Sequence, residues 1–330
     1  MQKIPVIVLS GFLGSGKTTL LLRLLQEAKT RGLQPSVLMN ELGNLDVDGH
    51  IISQRMNQQM IEKLFDGCIC CDKKSEVAQC LIQLLNRNPD VIFIELTGVA
   101  NPEEVADALT EPQLIHQIYL KQVITVLDAE NALEYNSIFE SDRELVHTLR
   151  QQIAVADRLI VNKTDLVNEK RKDKIEKVLR KQNAVSPISF TSYSEINLEL
   201  IFQDMKPIKT IRKKSSFVPL PVLKMGHAPH HHAPYLDHHE PSYTRIQTTS
   251  FKITQYMNPK KVEKFLNKWQ PRLLRAKGYL PLEGKGTYLM QHVAKRTSWQ
   301  LTEDAKEHYI VLIGMGIDIE QMKKEWNEWE

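Results

Sequence analysis

From residue 4 to about 205 the chain alternates short, almost uninterrupted apolar runs with longer amphipathic segments. The runs are PVIVLS at 5–10, SVLMN at 36–40, VIFIEL at 91–96, VITVLD at 123–128, LIVNK at 159–163 and PISFTS at 187–192. Runs this short and this apolar predict strands buried on both faces, as in a parallel sheet. Between them leucine recurs at helical spacing from Thr18 to Arg31, and Ser75 to Leu85 does likewise. The expected fold class is α/β, a doubly wound, mainly parallel sheet with helices on both faces.

The pattern breaks near residue 206. Residues 206–243 are rich in Pro, Lys and His and carry no apolar period, which reads as a linker. Beyond it RIQTTSFKI at 245–253 alternates like a strand, and NPKKVEKFLNKW opens a helix at an Asn-Pro cap. TYLMQHVA and HYIVLIG look like strands, and IEQMKKEWNEW has a helical period. The expected organisation is an α/β domain over 1–205, a His-rich flexible linker over 206–243 and a small α+β domain over 244–330.

A length of 330 residues agrees with two domains, and 42% hydrophobic with 25% charged content is ordinary for a soluble globular chain. No apolar run approaches the ~20 residues of a membrane helix. IPVIVLSGFLG lacks a charged n-region and runs into a glycine motif, so a signal peptide is not expected. Of four cysteines, Cys68, Cys70 and Cys71 are crowded together, which is not a secreted disulfide framework. The expected location is the cytoplasm. A net charge of +3 is too small to argue for nucleic acid. The basic run Lys206, Lys209, Arg212, Lys213 and Lys214 has no interleaved aromatics and reads as solvated linker.

Chemistry enters with GFLGSGKT, Gly11 to Thr18, which matches G-x-x-x-x-G-K-[ST] directly after a predicted strand and at the start of a predicted helix. The glycines Gly11, Gly14 and Gly16, with Ser15 and Thr19, would let backbone N–H groups surround phosphates, aided by the helix dipole. Lys17 would reach the β- and γ-phosphates and the Thr18 hydroxyl would ligate Mg²⁺. NKTD, Asn162 to Asp165, ends a later strand. The Asp165 carboxylate can accept from guanine N1–H and its exocyclic amine together, a pair adenine cannot make. Asn162 would brace the loop and the purine's other edge, and the Lys163 stem would cover the base. The expected ligand is therefore GTP. Glu95, ending VIFIE, is expected to hold Mg²⁺, whereas Asp128 reads as structural. Asp46 and Asp48 are candidates for orienting the hydrolytic water by location alone.

In order, SGFLGSGKTT, NELG, GCICC, IELTGVANP and VNKTD resemble the CobW family of metal-chaperone GTPases, of CobW/HypB/UreG type. RAKGYL at 275–280 and VLIGMGID at 311–318 are similar, more weakly, to that family's second domain. The resemblance implies GTP hydrolysis to GDP, a transition metal, usually zinc, at the C-x-C-C motif, and metal transfer to a client apo-metalloprotein. Where the family commonly reads N-E-F-G-E-x-G-I-D this chain has NELGNLDVD. Glu41 carries over as a metal ligand, Asn44 does not, and Asp48 is the matching aspartate.

The residues themselves support a metal at the cysteines. A Cys70–Cys71 disulfide would close a strained ring, a nucleophile has only His50 nearby in sequence, and a core patch would not be flanked by Asp66, Asp72, Lys73 and Lys74. Three thiolates suit Zn²⁺ at about 2.3 Å, with Glu41, His50 or water as the fourth ligand. Co²⁺ and Ni²⁺ are not excluded by ligand type. Cys80 shares a helix face with Val77, Leu81 and Leu84 and reads as core. In the linker His227, His230, His231, His232, His238 and His239 form a weak accessory metal-collecting tract. The functional expectation is a GTP-hydrolysing zinc chaperone that engages its client under nucleotide control. The competing reading is a metal store or sensor in which nucleotide only sets conformation. Neither membrane nor nucleic acid is an expected partner, and the sequence leaves a homo-oligomer open.

Overall fold

The computed structural model describes residues 3–40, 61–64, 73–96, 98, 100–136, 143–207, 245–270, 272–293, 296–302 and 308–329. Among the described residues seven parallel strands form the first sheet: β1 (Ile4–Ser10), β2 (Pro35–Asn40), β3 (Ile61–Leu64), β4 (Val91–Glu95), β5 (Ile118–Asp128), β6 (Arg158–Asn162) and β7 (Ile188–Phe190). Their order is β3-β2-β4-β1-β5-β6-β7. The continuous apolarity of β1 has its reason here, because both faces are covered. Ile7 and Leu9 pack with Leu20, Leu21 and Leu24 of α1 (Lys17–Thr30). Val6 and Val8 face the other way, toward Leu81 and Leu84 of α2 (Lys73–Leu85) and Val105 of α3 (Pro102–Ala108).

Helices α4 (Arg143–Val155) and α5 (Glu169–Gln182) extend that second layer over Leu127, Leu159 and Val161. The short α6 (Glu199–Phe202) joins α1 on the first face through Ile201 and Phe202. Because the helices after the adjacent strands β1 and β4 go to opposite faces, a crevice opens at the C-terminal ends of those strands, where open α/β sheets bind ligands. Cys80 lies partly buried against the second-face core, beside Val77.

The second sheet is antiparallel: β8 (Ile246–Lys252), β9 (Leu273–Leu282), β10 (Gly286–Val293), β11 (Arg296–Leu301) and β12 (Tyr309–Met315), in the order β11-β10-β9-β12-β8. One face is covered by α7 (Pro259–Lys268) and α8 (Ile319–Trp329). The Asn258 side chain caps α7 by accepting from the Lys260 and Lys261 N–H groups. Trp326 is the centre of this core, stacked on Phe251 with centroids 5.0 Å apart and edge-on to Phe265.

The opposite face of that sheet seats on the first domain. Ile246, Ile313 and Met315 enter the cluster that holds Val6, Ile118 and Val155. Arg275 of β9 pairs with Asp107 of α3 at 3.2 Å, and Lys277 pairs with Glu111 just beyond it. At the base of the first sheet, the Asp157 carboxylate accepts from the Val123 N–H at 2.6 Å and from the Arg245 N–H. Burial outweighs those donors and the Arg245 charge and pushes the Asp157 pKa up to about 7. Among the described residues no helix is long and apolar enough to cross a membrane.

Candidate nucleotide site

Between Ser10, the last residue of β1, and Lys17, the first of α1, the chain makes a tight loop across the ends of β5 and β6. Gly11 and Gly16 have φ of 125° and 105°, the left-handed region that side chains resist. They are also crowded: an added Cβ would lie 2.0 Å from the Val126 carbonyl oxygen at Gly11 and 2.2 Å from Asn162 Nδ2 at Gly16. Gly16 caps α1 without a side chain, so no side chain there competes for the first-turn N–H groups. Lys17 is buried, and its Nζ donates to the Gly11 carbonyl at 2.8 Å and the Phe12 carbonyl at 3.1 Å. Ser15 is buried within the loop, while Gly14 and Thr19 are exposed.

The Thr18 hydroxyl donates to Glu95 Oε1 at 2.8 Å. Glu95 ends β4 and turns to the α1 side because Ile92 and Ile94 take the other face. A hydroxyl and a carboxylate side by side at the start of α1 are the oxygen donors Mg²⁺ takes alongside phosphate and water, so this pair fits the ion.

The second half of the site comes from β6 and β7. Asn162 is 3% exposed and bridges two segments. Its Nδ2 donates to the Ser15 carbonyl at 3.0 Å, and its Oδ1 accepts from the Ser194 N–H at 2.9 Å. Lys163 follows in the left-handed conformation, φ 60°, and its Nζ pairs with Asp128 Oδ2 at 2.6 Å. Asp128, expected to be structural, thus positions the Lys163 stem, while its Oδ1 accepts from the Glu130 N–H. Asp165 is exposed, and its carboxylate makes no hydrogen bond among the described residues. Its own N–H is held by Ser192 Oγ at 3.2 Å.

Sequence reasoning missed two pieces. The turn Thr191–Ser194 after β7 completes the Asn162 bridge, with Ser194 Oγ donating to the Gly16 carbonyl at 3.2 Å. Tyr193 and Ser194 are both left-handed, at φ 54° and 55°, a strain no residue type there announces. The other piece is Gly98, where an added Cβ would meet the Leu13 amide nitrogen at 2.7 Å. The spacing Glu95-x-x-Gly98 after an apolar strand was its available signal.

Cys68, Cys70, Cys71 and Glu41 lie outside the described residues, as do Asp46, Asp48, His50 and His227, His230, His231, His232, His238 and His239. Among the described residues no three His, Cys, Asp or Glu side chains gather to hold a metal. The structure therefore brings together Lys17, Thr18, Glu95, Asn162, Lys163 and Asp165 around one crevice and does not bear on the cysteine site.

Over 210 residues the chain is 35% identical to the zinc chaperone YjiA of Escherichia coli, covering 61% of this chain and 62% of that protein. Over 358 residues it is 26% identical to the zinc chaperone CobW of Pseudomonas aeruginosa, covering 96% and 89%. A zinc-regulated GTPase metalloprotein activator of Schizosaccharomyces pombe is 30% identical over 204 residues, covering 60% and 48%. The first relatives are thus matched over only about half to three fifths of their own length, 62% and 52% for two of them. Among solved structures, Zn(II)-bound YjiA GTPase from E. coli aligns over 100% of both chains at 22% identity and a TM-score of 0.47. The family model for the CobW/HypB/UreG nucleotide-binding domain matches residues 5–190, and that for the cobalamin synthesis protein CobW C-terminal domain matches 246–330. The chain belongs to the CobW/HypB/UreG family of nucleotide-binding proteins and carries the CobW C-terminal domain.

Proposed function

We propose that this chain binds and hydrolyses GTP, binds a transition metal, Zn²⁺ first, at Cys68, Cys70 and Cys71, and delivers it to a client apo-metalloprotein under nucleotide control. The observation that carries the nucleotide half is the convergence of Lys17, the Thr18–Glu95 pair and the Asn162–Asp165 segment on the crevice at the ends of β1 and β4. The exposed Asp165 carboxylate is free to take the two guanine donors. Asn162 holds the phosphate loop to the base-binding segment, and Asp128 steadies the Lys163 stem where it would lie on the purine face. Lys17 is placed to exchange its two loop carbonyls for phosphate oxygens. Mg²⁺ held by Thr18 and Glu95 would neutralise charge developing on the β- and γ-phosphates.

Zinc is supported by the thiolate-rich C-x-C-C motif and by relatives named zinc chaperones and zinc-regulated GTPases. Glu41 is the proposed fourth ligand, and the six linker histidines a weaker accessory tract. The cytoplasm is the proposed location, because three crowded thiols kept for a metal suit a reducing compartment. The domain limits 1–205, 206–243 and 244–330 are proposed on the same footing.

The test is Zn²⁺ affinity by chelator competition, with GDP and with a non-hydrolysable GTP analogue, in a chain lacking 206–243 joined by a neutral linker. A tenfold or larger difference, about 1.4 kcal/mol of coupling, is expected. Changing Cys68, Cys70 and Cys71 to serine should abolish tight binding; unchanged affinity rules out the cysteine site. Tight binding indifferent to nucleotide would leave a store or sensor as the better reading.

A further inference from the structure

Gln152 of α4 has no exposed surface and lies under the loop that follows β4. Its Nε2 donates to the Gly98 carbonyl at 3.1 Å and to the Ala100 carbonyl at 2.9 Å. Its neighbour Gln151 accepts from Asn101 Nδ2 at 3.2 Å, so α4 grips this loop at Gly98, Ala100 and Asn101. From the other side Gly98 presses on the phosphate loop, at the Leu13 nitrogen and 3.2 Å from the Phe12 Cα for an added Cβ.

Gln152 is also tied to the phosphate-loop strand. Its backbone carbonyl accepts from Thr125 Oγ1 at 2.9 Å, and that hydroxyl lies 2.7 Å from Ser10 Oγ, one residue before Gly11. Ser10, Thr125 and Gln152 are all buried, so this chain of polar groups registers the Gly98 loop against the start of the phosphate loop.

Glutamine meets both carbonyls with one neutral nitrogen, although its Oε1 is buried with no hydrogen-bond partner among the described residues. Two carbonyls must be met by donors on one side, and a charged donor would be costly in a site closed to water. An aliphatic side chain of the same volume would take this donor from both carbonyls, which are partly buried.

We propose that Gln152 is a positioning residue for the third phosphate: by fixing the Gly98 carbonyl toward α4, it fixes the Gly98 segment over the phosphate loop where a γ-phosphate, and no part of a diphosphate, would meet it. The inference rests on the GTP reading above. Gln152 touches neither nucleotide nor metal, so its effect separates triphosphate from diphosphate, whereas a merely structural glutamine would affect both alike.

The experiment compares wild type, Gln152→Met and Gln152→Asn, measuring affinity for fluorescent GDP and for a fluorescent non-hydrolysable GTP analogue with Mg²⁺. Gln152→Met should lose tenfold or more in analogue affinity while GDP affinity stays within twofold. Gln152→Asn, which keeps the donors on a shorter reach, should fall between and carries the test if Gln152→Met does not fold. Equal loss for both nucleotides, or no loss for either, overturns the positioning role and leaves the GTP reading intact. A folded wild type that binds neither nucleotide overturns both.

Discussion

Asn162 is the side chain on which the two halves of the nucleotide site depend, and replacing it has a cost that can be worked from its contacts. Alanine at this position removes the donor to the Ser15 carbonyl, at 3.0 Å, and the acceptor for the Ser194 N–H, at 2.9 Å. At 3% exposure water does not readily replace either partner. A buried polar group left unpaired costs about 1–3 kcal/mol, so the two together should lower stability by about 2–6 kcal/mol. That is a large part of the about 5–15 kcal/mol that holds a domain folded. Asn162→Asp is the sharper probe. It keeps the acceptor for Ser194 but sets a carboxylate oxygen against the Ser15 carbonyl, so it should cost at least as much as alanine although it is isosteric. Urea unfolding of the nucleotide-free protein measures both variants. A loss under about 1 kcal/mol for Asn162→Ala, or an aspartate variant as stable as wild type, would refute the claim that this bridge organises the site.

Two further perturbations act away from the crevice. The Asp107–Arg275 pair is nearly closed to solvent, with side chains 6% and 15% exposed, so Asp107→Ala should cost about 3–5 kcal/mol by removing the carboxylate bonded to the guanidinium and leaving it the charge of Glu103. The double replacement Asp107→Leu with Arg275→Met should recover much of that loss in urea unfolding; a single variant costing under about 1 kcal/mol would contradict the buried pairing. Asp157, with its pKa raised from 3.8 to about 7, binds its proton more tightly in the folded chain than in the unfolded one. Its contribution to stability is therefore fully present below about pH 4 and is lost as pH rises through about 7, a change on the order of 4 kcal/mol. The stability difference between wild type and Asp157→Asn should drift across that window and flatten above it, and pH-independent parallel profiles would count against a perturbed Asp157.

Much of the first domain was legible because its physics is local. A strand buried on both faces must be apolar throughout, so β1, β4 and the end of β5 are visible as runs, and a phosphate loop needs glycine where the backbone turns left-handed beside a neighbouring carbonyl. What the sequence hid was relational. IEKL, the core of β3, is half charged and reads as a strand only once β2 offers it an edge. The early part of β5, IYLKQ, mixes Lys121 and Gln122 into the run where the register against β1 shifts between Val6 and Ile7, and Lys121 Nζ donates to the Gln203 carbonyl. β9 went unread for a similar reason: LLRAKGYLPL carries Arg275 and Lys277 on the face that seats against α3 and the turn after it, where their partners are 166 and more positions distant.

The same distinction separates the two kinds of site residue. In the proposed site Lys17, Thr18 and Asp165 would act on a ligand by their own chemistry, so residue type at a spacing identifies them. Asp128, Gln152 and Ser194 act on other residues, and nothing in their local sequence tells a positioning aspartate from a capping one. Asp128 shows the consequence: its Oδ1 does cap the turn at Glu130, as its sequence context suggests, while Oδ2 holds Lys163 from 35 positions away. One carboxylate can satisfy a local and a distant donor at once because it has two oxygens. A structural reading from sequence was therefore half of its part in the fold, and the half that holds Lys163 required the sheet to bring β5 and β6 side by side.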